Sequence, residues 1–120
     1  MKKIKTNLVE FDDITMEETV NWIASSSAGC KFQYIVTPNI DHLERLINSE
    51  VNISDIYTNA DLCLCDSRIL AKLLHFKDKR VKEVITGSTL TKNLFDSQHM
   101  VGKTILVVGG EISVFTMLLA

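Results

Sequence analysis

Apolar and polar positions follow two rhythms along this chain. Compact apolar runs occupy residues 32–36, 60–65, 81–86 and 104–108 and read as short strands buried on both faces. Elsewhere apolar residues return every three or four positions, as Met16, Val20 and Ile23 do, then Leu43, Leu46 and Ile47, then Ile69, Leu70, Leu73, Leu74 and Phe76. Such intervals predict helices over residues 15–25, from Asp41 onward, over 67–76, and from Ser88 or Thr89 through Phe95. Residues 51–59 read as a short helix or turn. Residues 10–14 read as a lead-in to the first helix, where Thr15 followed by Glu18 has capping-box spacing. The small, polar run at residues 25–29 ends that helix, and Trp22 falls at its border.

Strand and helix alternate four times, which implies a parallel sheet with right-handed crossovers. The expected fold is therefore α/β, a Rossmann-like parallel sheet with alternating helices, formed by residues 1–120 as a single domain. The chain stops at Phe115-Thr116-Met117-Leu118-Leu119-Ala120, which resembles the first turns of an apolar helix without a C-cap. The sheet is accordingly expected to be incomplete at the carboxyl end, and the chain reads as a fragment.

Composition narrows the function. With 120 residues, 46% of them hydrophobic and 23% charged, the chain suits one soluble globular domain. A net charge of −2 lacks the basic footprint of phosphate-backbone recognition, so no nucleic-acid partner is expected. The basic start is followed by Glu10-Phe11-Asp12-Asp13 rather than an apolar signal core, and the apolar end is interrupted by Gly109, Gly110 and Glu111, so neither signal peptide nor membrane span is expected. An odd set of cysteines, Cys30, Cys63 and Cys65, argues against a disulfide framework. Strand alternation puts Cys63 and Cys65 on one face as small core residues, and their spacing does not suit zinc. His42, His75 and His99 are scattered and read as surface or border residues, not metal ligands. Of these, only His42 lies close enough to Asn39 to face a crevice at the strand ends.

Polar or glycine-rich turns follow each expected strand: Thr37-Pro38-Asn39, Asp66-Ser67, Thr86-Gly87-Ser88 and Gly109-Gly110. In a parallel sheet these lie along one edge, where open α/β sheets bind ligands and where helix N-termini suit a diphosphate. The alternative is that they are only β–α turns and helix caps. Asp66, backed by an apolar strand, is placed to act as a general base, or else to cap the helix that begins near Ser67. Neither a G-x-G-x-x-G fingerprint nor a P-loop is present.

Thr37-Pro38-Asn39-Ile40-Asp41-His42-Leu43, Ala60-Asp61-Leu62 through Asp66, Thr86-Gly87-Ser88-Thr89-Leu90 and Val107-Val108-Gly109-Gly110 come in an order and at spacings that resemble the WecG/TagA/CpsF glycosyltransferases. The resemblance runs from about Phe11 to the last residue. It implies an inverting, metal-independent transfer of an N-acetylmannosamine-type sugar from a UDP-sugar donor to a lipid-diphosphate-linked amino sugar, in surface polysaccharide or teichoic-acid synthesis. No cofactor is implied. Asp66 matches the family's proposed catalytic base, Thr37 and Asn39 match the polar pair lining the sugar pocket, and Gly87, Ser88, Gly109 and Gly110 match backbone contacts to the nucleotide or its diphosphate. Many members carry an arginine where this chain has Val84, leaving Arg80 or Arg68 as substitutes, and many have glycine where Ser67 stands.

Family members extend well beyond this length, so the chain is expected to bind a UDP-sugar weakly and to turn over only with the remaining portion supplied. The expected location is cytoplasmic, with peripheral membrane contact through a C-terminal part outside this sequence. A nucleotide-binding oxidoreductase or methyltransferase fragment and a non-catalytic α/β interaction domain are the alternatives.

Overall fold

The computed structural model describes residues 2–26, 31–48 and 53–109. It is a mixed α/β structure with two small sheets and several helices. An antiparallel hairpin comes first: β1 (Lys3–Lys5) pairs with β2 (Glu10–Asp12), with Ile4 opposite Phe11. The residues expected to be a lead-in thus form a strand pair. Thr6 closes the turn, its hydroxyl donating to Val9 O at 2.6 Å and accepting from Val9 N at 3.0 Å.

Helix α1 (Met16–Ala24) starts where Thr15 predicts, with Thr15 Oγ1 accepting from Glu18 N at 3.2 Å. Its C-cap is Ser25, and residues 27–29 of the expected terminating run lie outside the described residues. Strand β3 (Ile35–Val36) pairs in parallel with β4 (Leu62–Cys63), and Leu64 N continues the ladder by donating to Val36 O at 2.9 Å. The strands are shorter than expected because side chains and proline end them. Asp61 Oδ2 takes the Tyr34 N–H at 2.9 Å, and Pro38 has no N–H to offer. Between these strands run α2 (Ile40–Asn48) and the short α3 (Ser54–Thr58), and after them come α4 (Arg68–Phe76) and α5 (Gly87–Asp96).

Strand alternation gives the parallel pair two buried faces. Cys63 and Cys65 pack with Ile4, Val9, Phe11 and Leu74, backed by side chains of α2 and α4. Leu62 and Leu64 pack with Ile14, Ile85 and Leu90, backed by side chains of α1 and α5. Both cysteines are buried free thiols, as strand alternation predicts. The broad apolar face of α4 is only partly used: Leu70 and Leu74 turn to the core while Ile69, Leu73 and Phe76 are exposed.

Two expected strands are corrected. Among the described residues, residues 81–86 make a single backbone bond to the run that continues from β4, Ile85 N to Cys65 O at 3.0 Å, and form no strand. The reason lies in two buried carboxylates that occupy the amides a ladder would use. Asp13 Oδ1 accepts from Lys82 N at 2.7 Å, and Asp12 Oδ2 accepts from Cys63 N at 2.8 Å. Residues 104–108 are exposed and pair with no strand among the described residues. Within those residues the architecture is thus a parallel pair covered on both faces, rather than a four-stranded sheet. The expected helix over residues 115–120 lies outside the described residues.

Burial also perturbs the Cys63 thiol, which desolvation, followed by the Asp12 carboxylate, pushes up from 9.0 to about 12. The unfolded thiol ionises near its ordinary value while the folded one keeps its proton. Its contribution to stability is therefore complete below about pH 9 and declines as pH rises toward 12. Urea titrations across that range should show a shallower alkaline loss in Cys63→Ala than in the parent chain, and equal slopes would remove Cys63 as the cause. Asp12→Ala strands the Cys63 N–H in the core and should cost about 3 kcal/mol in urea unfolding, whereas Asp12→Asn, which keeps an acceptor oxygen, should cost about 1 kcal/mol.

Candidate active site

Each turn at the carboxyl end of the parallel pair leads into a helix through a side-chain cap. Asn39 precedes α2 and exchanges two bonds with His42: Asn39 Oδ1 accepts from His42 N, and His42 Nδ1 accepts from Asn39 N, both at 3.1 Å. This is a capping box with histidine in place of the usual Glu or Gln. Ser67 caps α4, its hydroxyl accepting from Leu70 N at 3.1 Å. Asp66 is therefore not the cap of that helix, and its carboxylate is left for other work. Thr86 caps α5, accepting from Thr89 N at 3.2 Å, so neither Ser88 nor Thr89 holds the capping position and the helix begins at Gly87.

These caps bring three of the sequence-predicted site residues into contact. Gly87 N donates to Asp66 Oδ2 at 3.3 Å, placing the carboxylate at the positive end of α5. A Cβ on Gly87 would stand 3.2 Å from Thr37 Oγ1 and 4.0 Å from Asp66 Oδ2. The missing side chain is what lets α5 start against the end of β3. Asp66 and Thr37 are both partly buried, and Asp66 Oδ1 has no protein partner among the described residues. Ser88 is exposed on the first turn of α5, its hydroxyl 3.3 Å from Thr86 Oγ1. Asn39 sits two residues from Thr37, with its carbonyl oxygen committed to α2.

Gly109 is not brought to this cluster. It is exposed, at φ +95°, and nothing lies within 4 Å of the position its Cβ would take. Gly110 lies outside the described residues. Among the described residues no three His, Cys, Asp or Glu side chains converge as metal ligands. None of the described helices is long and apolar enough to cross a membrane.

A pocket of about 190 Å³ adjoins the cluster, lined by Val36, Thr37, Pro38, His42, Ile56 and Tyr57. Thr37 is common to both. Sequence reasoning placed His42 near the crevice but did not find this pocket, because its far wall comes from α3, whose packing leaves no periodic signal in five residues. The Tyr34 hydroxyl, from the residue before β3, donates to Ile56 O at 2.6 Å and ties that wall to the start of the strand.

A carboxylate, a hydroxyl and a helix start gather at the carboxyl ends of the parallel strands, the position at which open α/β sheets commonly bind ligands. The chain matches the model of the glycosyl transferase WecG/TagA/CpsF family over residues 4–118, and it belongs to that family. It is thus a glycosyl transferase family member of cell-surface polysaccharide synthesis. That membership favours glycosyl transfer over the oxidoreductase, methyltransferase and interaction-domain alternatives. A search of curated proteins found no match.

The close approach at Gly87 can be read by substitution. Gly87→Ala should shift the Thr37 methyl resonance while changing unfolding free energy by less than about 1 kcal/mol, since the gain in helix propensity offsets the crowding. Gly87→Leu should cost about 1–3 kcal/mol through overpacking. An unmoved Thr37 resonance in both variants would show that the two residues do not touch.

Proposed function

We propose that this sequence carries the acceptor-activating part of a glycosyl transferase that moves an N-acetylmannosamine-type sugar from UDP to a lipid-diphosphate-linked amino sugar. The observation that supports it is the contact of Asp66, Thr37 and Gly87 at one sheet edge. On this reading the parallel pair is the centre of a Rossmann-like sheet. Asp66 is the base: Gly87 N–H holds Oδ2, and Oδ1 takes the proton from the acceptor hydroxyl. The hydroxyl oxygen then bonds to the anomeric carbon from the face opposite the nucleotide, and the bond to UDP breaks with its electron pair leaving on the diphosphate. That geometry inverts the anomeric centre.

Thr37 and Asn39 orient the sugar. Because the Gly87 N–H is engaged by Asp66, the diphosphate falls to Ser88, whose backbone N–H has no protein partner among the described residues. In a metal-independent reaction the leaving group also needs cationic help. Arg68, exposed at the first position of α4 and two residues from Asp66, is a candidate for it, as is the exposed Arg80. Gly109 takes part only if the segment that carries it moves onto the cluster, and Gly110 is proposed to meet the nucleotide or its diphosphate through its backbone. Donor and acceptor meet, on this reading, at the cytoplasmic face of a membrane.

In a full-length version that supplies the remaining portion, Asp66→Asn is expected to lower transfer turnover by about 10²–10⁴-fold, the usual worth of a general base, with UDP-sugar affinity in calorimetry changed little. Near-normal turnover in that variant would reduce Asp66 to a structural partner of Gly87 and remove the proposed mechanism.

A further inference from the structure

We infer that the outward face of α4 is a docking surface for an anionic lipid bilayer. The helix turns Leu70 and Leu74 to the core and leaves Ile69, Leu73 and Phe76 outside it, 64%, 54% and 83% exposed. These three follow one another at intervals of four and three residues, so they form one stripe along the helix. A lone exposed apolar residue is ordinary, whereas a continuous stripe marks a surface that meets something apolar.

Positive charge accompanies the stripe. Residues 68–80 hold five lysines and arginines, Arg68, Lys72, Lys77, Lys79 and Arg80, against one acid, Asp78, in a chain whose net charge is −2. Lys72 is three residues from Ile69 and four from Phe76 and so borders the stripe, and Arg68 lies one turn before it on the same flank. Lys77, Lys79 and Arg80 follow the carboxyl end of the helix, where Lys79 Nζ donates to Lys5 O at 2.6 Å and holds that turn against β1. Among the described residues no carboxylate pairs with Arg68, Lys72, Lys77 or Arg80.

An apolar stripe flanked by unpaired cations is the pattern of a helix that lies in the plane of a bilayer surface, its apolar side chains among the acyl chains and its lysines reaching back to anionic headgroups. The choice of a bilayer over an acidic protein rests on the lipid-linked acceptor of the glycosyl-transfer reading above. Ser67 caps α4 directly after Asp66, so the carboxylate stands at the amino end of the same helix. With α4 on the bilayer, Asp66 is brought toward headgroup level, where the diphosphate of a lipid-linked acceptor lies.

Sedimentation of the chain with lipid vesicles tests this face. Vesicles of phosphatidylglycerol and phosphatidylcholine in equal parts should bind the parent chain at least about tenfold more tightly than phosphatidylcholine alone, since each basic residue near an anionic surface is worth roughly fivefold. The preference should fade as ionic strength rises. Lys72→Gln combined with Lys77→Gln should weaken binding to the anionic vesicles by at least about tenfold. Leu73→Ser combined with Phe76→Ser should weaken it by a similar factor through lost apolar burial. Leu106→Ser combined with Val108→Ser, in the other exposed apolar run, should bind as the parent does, with melting temperatures alike in all four proteins. The inference is overturned if the parent binds neither kind of vesicle or both equally, if the α4 variants bind as the parent does, or if the Leu106 and Val108 variant is the one that loses binding. Binding to polyglutamate in place of the anionic vesicles overturns it in favour of an acidic protein partner. None of these outcomes bears on Asp66, whose role is read from the turnover of Asp66→Asn, so the two readings fail separately.

Discussion

Two adjacent carboxylates, Asp12 and Asp13, hold the amino-terminal hairpin to the parallel pair. Both are buried, with Asp12 only 4% exposed, and each is satisfied by a backbone amide far away in sequence: Cys63 N for Asp12 and Lys82 N for Asp13. Lys3 adds an ion pair to Asp12 at 3.4 Å. Taking carboxylates out of water is costly, and charge-assisted bonds to otherwise unpaired N–H groups offset that cost. The arrangement decides the topology around it. Because Asp12 takes the Cys63 amide on the outer edge of β4 and Asp13 takes the Lys82 amide, residues 81–86 meet this edge, among the described residues, only through Ile85, close to where the chain turns into α5. The start of α5 at Gly87 is placed by that last rung.

From there the crevice follows as a consequence of how helices begin. Asn39, Ser67 and Thr86 each spend a side-chain oxygen on a free helix amide, which fixes where α2, α4 and α5 leave the sheet. Asp66 is the residue left over. It lies between a buried strand and a serine that already caps the next helix, and its oxygen reaches instead to the neighbouring helix start. A carboxylate held by one oxygen and open at the other is oriented without being used up, which is the arrangement a proton acceptor requires.

Much of this was legible in the residue pattern, and the failures have identifiable causes. Helix positions were readable because period and cap agree, as at Thr15 with Glu18. The pairing of Cys63 with Cys65 on one buried face followed from alternation alone. The hairpin was missed because each strand has three residues, although Lys3-Ile4-Lys5 alternates and its lysines face Asp12 and Glu10 across the pair. Residues 81–86 misled because apolar content reports burial and not ladder bonding, and the competitors for their amides, Asp13 above all, lie far away in sequence. At the turns, the residue types marked Thr37, Asp66 and Gly87, which lie together in the structure, but only the coordinates distinguish Ser67 as the cap of α4 from Asp66, whose carboxylate accepts from Gly87 N. Contacts such as Gly87 with Thr37 join elements that no local pattern connects.

The exposed run at residues 104–108 bears on how the protein behaves as a solute. Leu106 and Val108 are 85% and 86% exposed, and the charge nearest to them in the preceding sequence is Lys103. An exposed apolar segment with few charges, paired with no strand among the described residues, can template strand addition between molecules. Attraction between copies through this segment would then limit the usable concentration. Ionic strength, which screens the net charge of −2 that keeps copies apart, would lower that limit.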